Sequence, residues 1–167
     1  MLSLDWLFEG MVPNIMKQQA GPLFAKMTPD VELDDKVFGY KLKGVNELNS
    51  HLLKVRTYFR YKSPYVKAEY KGAIIYEGED VVTFLWKLNI LRSSFMRYFP
   101  AFVTGKQTEF DVREGALVCS VNEDGKIYKM LNRPVTEADK EAAAQLKALK
   151  DEMKEEEKKQ ALKEKLE

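Results

Sequence analysis

The chain has 167 residues, 45% of them hydrophobic, with 27 Lys and Arg against 26 Asp and Glu. That length bounds the answer to one domain with or without an appendage, the apolar content excludes global disorder, and the charge balance argues against a dedicated nucleic-acid binder. Cys119 and His51 stand alone, which excludes an internal disulfide, a cysteine-rich metal site and any site needing two imidazoles; no apolar run reaches the roughly 18 residues that cross a bilayer.

The opening MLSLDWLFEG carries Asp5 and Glu9 but neither Lys nor Arg, so it does not read as a targeting peptide. Ser3 can cap a helix in which Trp6, Leu7, Met11, Ile15 and Met16 fall on one side, and Pro13, lacking an amide donor, kinks or splits it. Gly21-Pro22 ends that segment and opens a short second helix through Met27; Thr28-Pro29-Asp30 reads as a turn. Alternating stretches at 31–34 and 37–42 predict a short strand pair. After Gly44, the 3-4-3-4 spacing of Val45, Leu48, Leu52, Val55 and Phe59 predicts a third helix.

Beyond Ser63-Pro64 the period changes from 3.6 to 2. Val66, Ala68 and Tyr70 alternate with Lys67, Glu69 and Lys71; Ile74-Ile75-Tyr76 follow, then a hairpin-like turn at 77–80. Val82, Phe84, Trp86, Leu88 and Ile90 line one face of a long strand whose other face is mixed. Strand residues return at 103–110 and 116–121 around Glu114-Gly115, a predicted bulge or bend, and Asn-Glu-Asp-Gly at 122–125 turns the chain into a last strand at 126–131. Strands that succeed one another without helical crossovers predict an α+β fold, with a curved antiparallel sheet covered by the N-terminal helices.

Composition changes after Val135: no aromatic, Gly or Pro follows, and residues 136–167 hold ten acids and eight lysines. Thr136 and Asp139 have the spacing of a capping box, and Ala142, Leu146, Leu149 and Met153 form a narrow apolar stripe. The expected organisation is therefore an α+β domain over 1–135 and a charged helical tail over 136–167 whose first half docks on something.

The order of elements resembles the nuclear transport factor 2-like superfamily, also called SnoaL-like or cystatin-like, whose fold is a cone. MTPDVEL at 27–33, GYKLKGVNEL at 39–48, EDVVTFLWKL at 79–88 and LVCSVNEDGKIYKM at 117–130 carry the resemblance. Within the superfamily the chain is similar to an uncharacterised family with plastid and mitochondrial members, through its P-x-V-E start, its K/R-G step before the third helix and its final G-K/L-I-Y strand. The similarity covers about residues 20–133 and implies an organellar location, mitochondrion or plastid. The fold hosts isomerases, dehydratases, hydrolases and non-catalytic partners alike, so it does not transfer a function.

The resemblance implies a general-base acid at the end of the first strand, where Asp34 and Asp35 stand; the same acids also read as solvated turn residues. Steroid-isomerase-type sites commonly take an oxyanion donor from a Tyr in the first helix, yet residues 1–27 contain no Tyr. Dehydratase-type sites need a His pair, and only His51 exists. Cys119, between apolar neighbours, reads as a small buried hydrophobe. Tyr70, Phe84, Trp86 and Leu88, with Tyr76, either line a pocket inside the cone or form an ordinary sheet core.

The RSSFMRYFPAF segment at 92–102 interleaves Phe95, Met96, Tyr98, Phe99 and Phe102 with Arg92 and Arg97, an aromatic density that a surface connection tolerates poorly. It is expected to fold back on the cone, dock on a partner or rest at a membrane interface. Residues 56–62, RTYFRYK, add a second basic and aromatic stretch. The function expected is a non-catalytic protein-interaction module, an accessory or assembly component of a larger organellar complex, a membrane-associated one being among the options. It would dock through 92–102 and through Leu146, Leu149 and Met153, without cofactor or metal, and could form a homodimer through its sheet. The alternatives are a small-molecule-binding protein or isomerase- or dehydratase-like enzyme using the cone, and a peripheral membrane module.

Overall fold

Helix α1 (Leu2–Met11) gives way at Pro13 to a 3-10 turn (Val12–Asn14), and a single-turn helix α2 (Gly21–Phe24) follows. The computed structural model describes residues 2–16, 20–63, 65–75, 80–91 and 110–164. Leu4, Phe8 and Val12 are the buried apolar residues of the first segment, beside buried Asp5, with Leu7, Met11, Ile15 and Met16 packed around them; the Trp6 side chain lies outside the described residues.

Strand β1 (Met27–Asp35) begins where a turn was expected. Thr28-Pro29-Asp30 sit in a stretch of β1 with no paired neighbour, where the register shifts between Met27 and Glu32, so Pro29 removes no ladder bond. The predicted 37–42 strand shortens to β2 (Tyr40–Lys43). Its cause is Asp35: Oδ1 accepts the amides of Val37 and Phe38 at 2.9 and 2.8 Å, and Gly39 (φ 78°) donates to the Asp35 carbonyl, closing a turn. Helix α3 (Val45–Lys62) then packs Val45, Leu48 and Phe59 on the core, and Arg56 Nε donates to the Ile15 carbonyl at 2.6 Å.

Strands β3 (Val66–Ile75), β4 (Val81–Leu91), β5 (Phe110–Val121) and β6 (Ile127–Arg133) form the meander. The sheet order is β2-β1-β6-β5-β4-β3. Four of its five pairings are antiparallel as expected, but β1 and β6 run parallel, so the sheet is mixed. The whole meander separates β1 from β6 in sequence, which supplies the long connection a parallel pair requires. Glu114-Gly115, expected as a bulge or bend, forms no bulge: it lies in unbroken register with Lys87 and Trp86. Gly115 is there for space: a Cβ on it would lie 2.4 Å from Cζ2 of Trp86. The 122–125 turn forms as expected, with Asn122 Oδ1 accepting the Lys126 amide.

Even-numbered Val82, Phe84, Trp86 and Leu88 of β4 face the main core under α1, α2 and α3, whereas Leu85 joins Ile74, Ala116 and Ala143 in a second cluster on the opposite face. That second face is covered by helix α4 (Glu137–Glu164). The early helices were expected to be the available cover; α4 adds a third layer because it starts in a fixed direction. Thr136 Oγ1 accepts the Asp139 amide while Asp139 Oδ2 accepts from Thr136, the capping box read in the sequence. Gly72, in the β3 register shift with φ 130°, lets α4 come close: a Cβ there would sit 3.2 Å from that of Ala143.

Candidate functional site

At one end of the concave face, β1, β4 and β6 bring three polar groups together. Asp35 pairs in register with Asn132, and Trp86 Nε1 donates to Asn132 Oδ1 at 2.9 Å. Phe38, from the turn that Asp35 closes, stacks on Trp86 at 6.2 Å. Asp35 and Asn132 are both buried. Asp35 shares a face with Leu33, which packs on the core, so Asp34 points the other way. There Lys36 reaches it at 2.9 Å, and that hydrogen bond holds the Asp34 carboxyl below its ordinary range. Of the two candidate acids, Asp35 alone can address the cone, and its Oδ1 is committed to two backbone amides.

His51 is not part of this group. Its ring lies 4.5 Å from that of Tyr40, beside a surface hollow of about 440 Å³ lined by Leu42, Glu47, Ser50 and Lys54. Among the described residues no hydrogen bond or ion pair joins it to Asp34 or Asp35.

Deeper in the cone, side chains of α1 meet those of the sheet. Phe84, 1% exposed, stacks on Phe8 of α1 at 3.8 Å with planes 11° apart, and Leu88 is buried in the same cluster. Tyr70 turns its hydroxyl to Asp5 Oδ1, and Lys150 of α4 pairs with Asp5 Oδ2. Burial, then the charge of Glu9, pushes the Tyr70 phenol up, so it acts as a neutral donor. Asp5 is fully buried, and the sequence reading missed it. The signal was an acid on the arc of Leu4 and Phe8, where an unpaired charge is not tolerated. Cys119 is likewise sealed in the core, its thiol pushed up by burial.

On α4, Leu146 packs against the main core, while Leu149 and Met153 are 57% and 59% exposed. The segment containing Arg92, Phe95, Met96, Arg97, Tyr98, Phe99 and Phe102 lies outside the described residues, as does Tyr76. No described helix is long and apolar enough to cross a membrane.

The sequence matches no protein-family model and no curated protein. Solved structures do match in fold. A nuclear transport factor 2-like protein of unknown function from Exiguobacterium sp. 255-15 aligns with a TM-score of 0.53 at 15% identity, over 77% of this chain and 94% of its own. A SnoaL-like protein from Jannaschia sp. CCS1 gives 0.52 at 8% identity, over 78% and 82%. A SnoaL-like family member from Agrobacterium tumefaciens str. C58 gives 0.51 at 12%, over 78% and 96%. The chain has the nuclear transport factor 2-like fold. At these identities the likeness is one of architecture, and function rests on the residues themselves.

Proposed function

We propose that this protein is a non-catalytic interaction module that docks a protein partner through the outer part of α4. One observation carries the reading: Leu149 and Met153 stand exposed on a helix that continues to Glu164. The interior offers little to a ligand by comparison, because Phe8 on Phe84 and the Asp5, Tyr70 and Lys150 cluster occupy it. An amphipathic helix with spaced apolar anchors is a recurrent recognition element. The finer assignment, an accessory or assembly component of an organellar complex, belongs to this proposal, as does contact through 92–102.

The test is a photo-crosslinking amino acid placed at Leu149 or Met153, with Gln145 as the control site. The proposal expects one discrete adduct with another protein from the first two sites and none from the third. An adduct from 145 as strong as those from 149 and 153, or one from 149 that is unchanged when Met153→Glu is added, would point to another surface.

A second reading is favoured by the convergence of Asp35, Asn132 and Trp86 at the cone's end, where the alternative small-molecule function would place its polar contacts. Asp35→Asn that abolishes stabilisation by a hydrophobic ligand would select it.

A further inference from the structure

Helix α3 has 18 residues, and none of them is buried. Its inner line packs Val45, Leu48 and Phe59 against the core, which leaves the outer line to solvent. That outer line is unusual in composition. No acid occurs from 48 to 68, an interval that holds Lys54, Arg56, Arg60, Lys62 and Lys67. Lys54, Tyr58 and Tyr61 share one helix face at four- and three-residue spacing. Tyr61 is 79% exposed, and Tyr58 and Tyr65 are also exposed.

The surface is held in place rather than loose. Lys62 lies 4.9 Å from the centre of the Tyr58 ring. Ser63 Oγ donates within 2.8 Å of the Tyr65 carbonyl and 2.9 Å of the Leu91 carbonyl, fixing the exit of α3 against the ends of β3 and β4. Tyr65 then meets exposed Phe110 edge-on at 6.2 Å, which carries the aromatic surface onto β5.

We infer that the outer face of α3, with Tyr65 and Phe110, is a docking surface for an anionic lipid bilayer. Charge complementarity chooses the occupant: Lys54, Arg60 and Lys62 stand exposed in an interval without a negative charge, and anionic headgroups attract such a cluster. Tyrosine is suited to the same place, with an apolar ring and a polar tip that sit at headgroup level. The face is the convex side of a helix with protruding rings, a shape that a planar surface accepts without a matching groove. This surface is separate from Leu149 and Met153, so the two proposals stand or fall independently.

Vesicle flotation of the full chain tests it, with phosphatidylcholine alone and with about 30% phosphatidylserine added. The expected result is flotation with the anionic vesicles only, lost in high salt. Lys54→Glu with Arg60→Glu should weaken binding by about tenfold or more. Tyr58→Ser with Tyr61→Ser should weaken it at unchanged charge, and circular dichroism melts should match the wild type because these side chains are exposed. Absence of flotation with anionic vesicles overturns the proposal, as does flotation indifferent to both pairs of substitutions. Patch-dependent binding of polyglutamate without vesicle binding would overturn it in favour of an acidic protein.

Discussion

The Arg133 guanidinium grips the Asp139 carboxylate with two hydrogen bonds, 2.6 and 2.8 Å long, joining the end of β6 to the first turn of α4. Planar two-point pairing fixes direction as well as distance, and it aims the helix across the sheet. Arg133 first, then the Thr136 groups, hold the Asp139 carboxyl well below the usual range against the opposing effect of burial. Depression in the folded state means stability that is present above the unfolded pKa of about 3.9 and lost as pH falls toward the folded value. Asp139→Asn should therefore cost about 2 kcal/mol at neutral pH. Urea unfolding of both proteins should show that difference shrinking below about pH 4; a difference constant down to pH 3 would contradict the assignment.

Trp86 and Gly115 form a pair in which one residue occupies the other's missing side-chain space. Gly115→Ala should destabilise by about 2 kcal/mol, because the indole must leave both the strand and its bond to Asn132. Trp86→Val added to Gly115→Ala should cost less than the sum of the two single changes, read by chemical denaturation.

Asp5, fully buried in α1, and Lys150 of α4, partly buried, pair their charges and tie the first helix to the last. Lys150→Met leaves the buried Asp5 carboxylate beside the Tyr70 hydroxyl and without its Lys150 cation, and should cost about 3 kcal/mol or more. Asp5→Leu combined with Lys150→Met should recover at least about 1 kcal/mol relative to additivity. A double-mutant cycle closing at zero would show that the pair is not coupled.

What could be read in advance was local. The 136–139 cap, the 122–125 turn and the α3 spacing all depend on residues within a turn or two of one another. The alternation over 66–90 likewise reports burial directly, since strand side chains point to opposite faces. Long-range geometry was hidden. Nothing near 28–30 says that β1 continues through a proline, because that depends on the lack of a paired neighbour there. Gly115 looks like a bend until Trp86 is placed across from it. At the candidate site, Asp34 and Asp35 were visible as a pair, but which one faces the cone depended on the register of β1 against β6. Asp5 was missed because its partners are distant in sequence, Tyr70 on β3 65 residues away and Lys150 on the last helix 145 residues away.

We propose that the interior of the cone takes no ligand and that the outer surfaces do the work. Phe84 is the residue to open it: Phe84→Ala should cost about 3–5 kcal/mol and leave an apolar cavity beside Phe8. Thermal melts of both proteins against a panel of small aromatic and steroid-like ligands then test the claim directly. The expected outcome is a rise in melting temperature for Phe84→Ala alone, since an empty apolar cavity binds such molecules. A wild-type protein raised by several degrees by one of them, with the effect lost in Asp35→Asn, would contradict it.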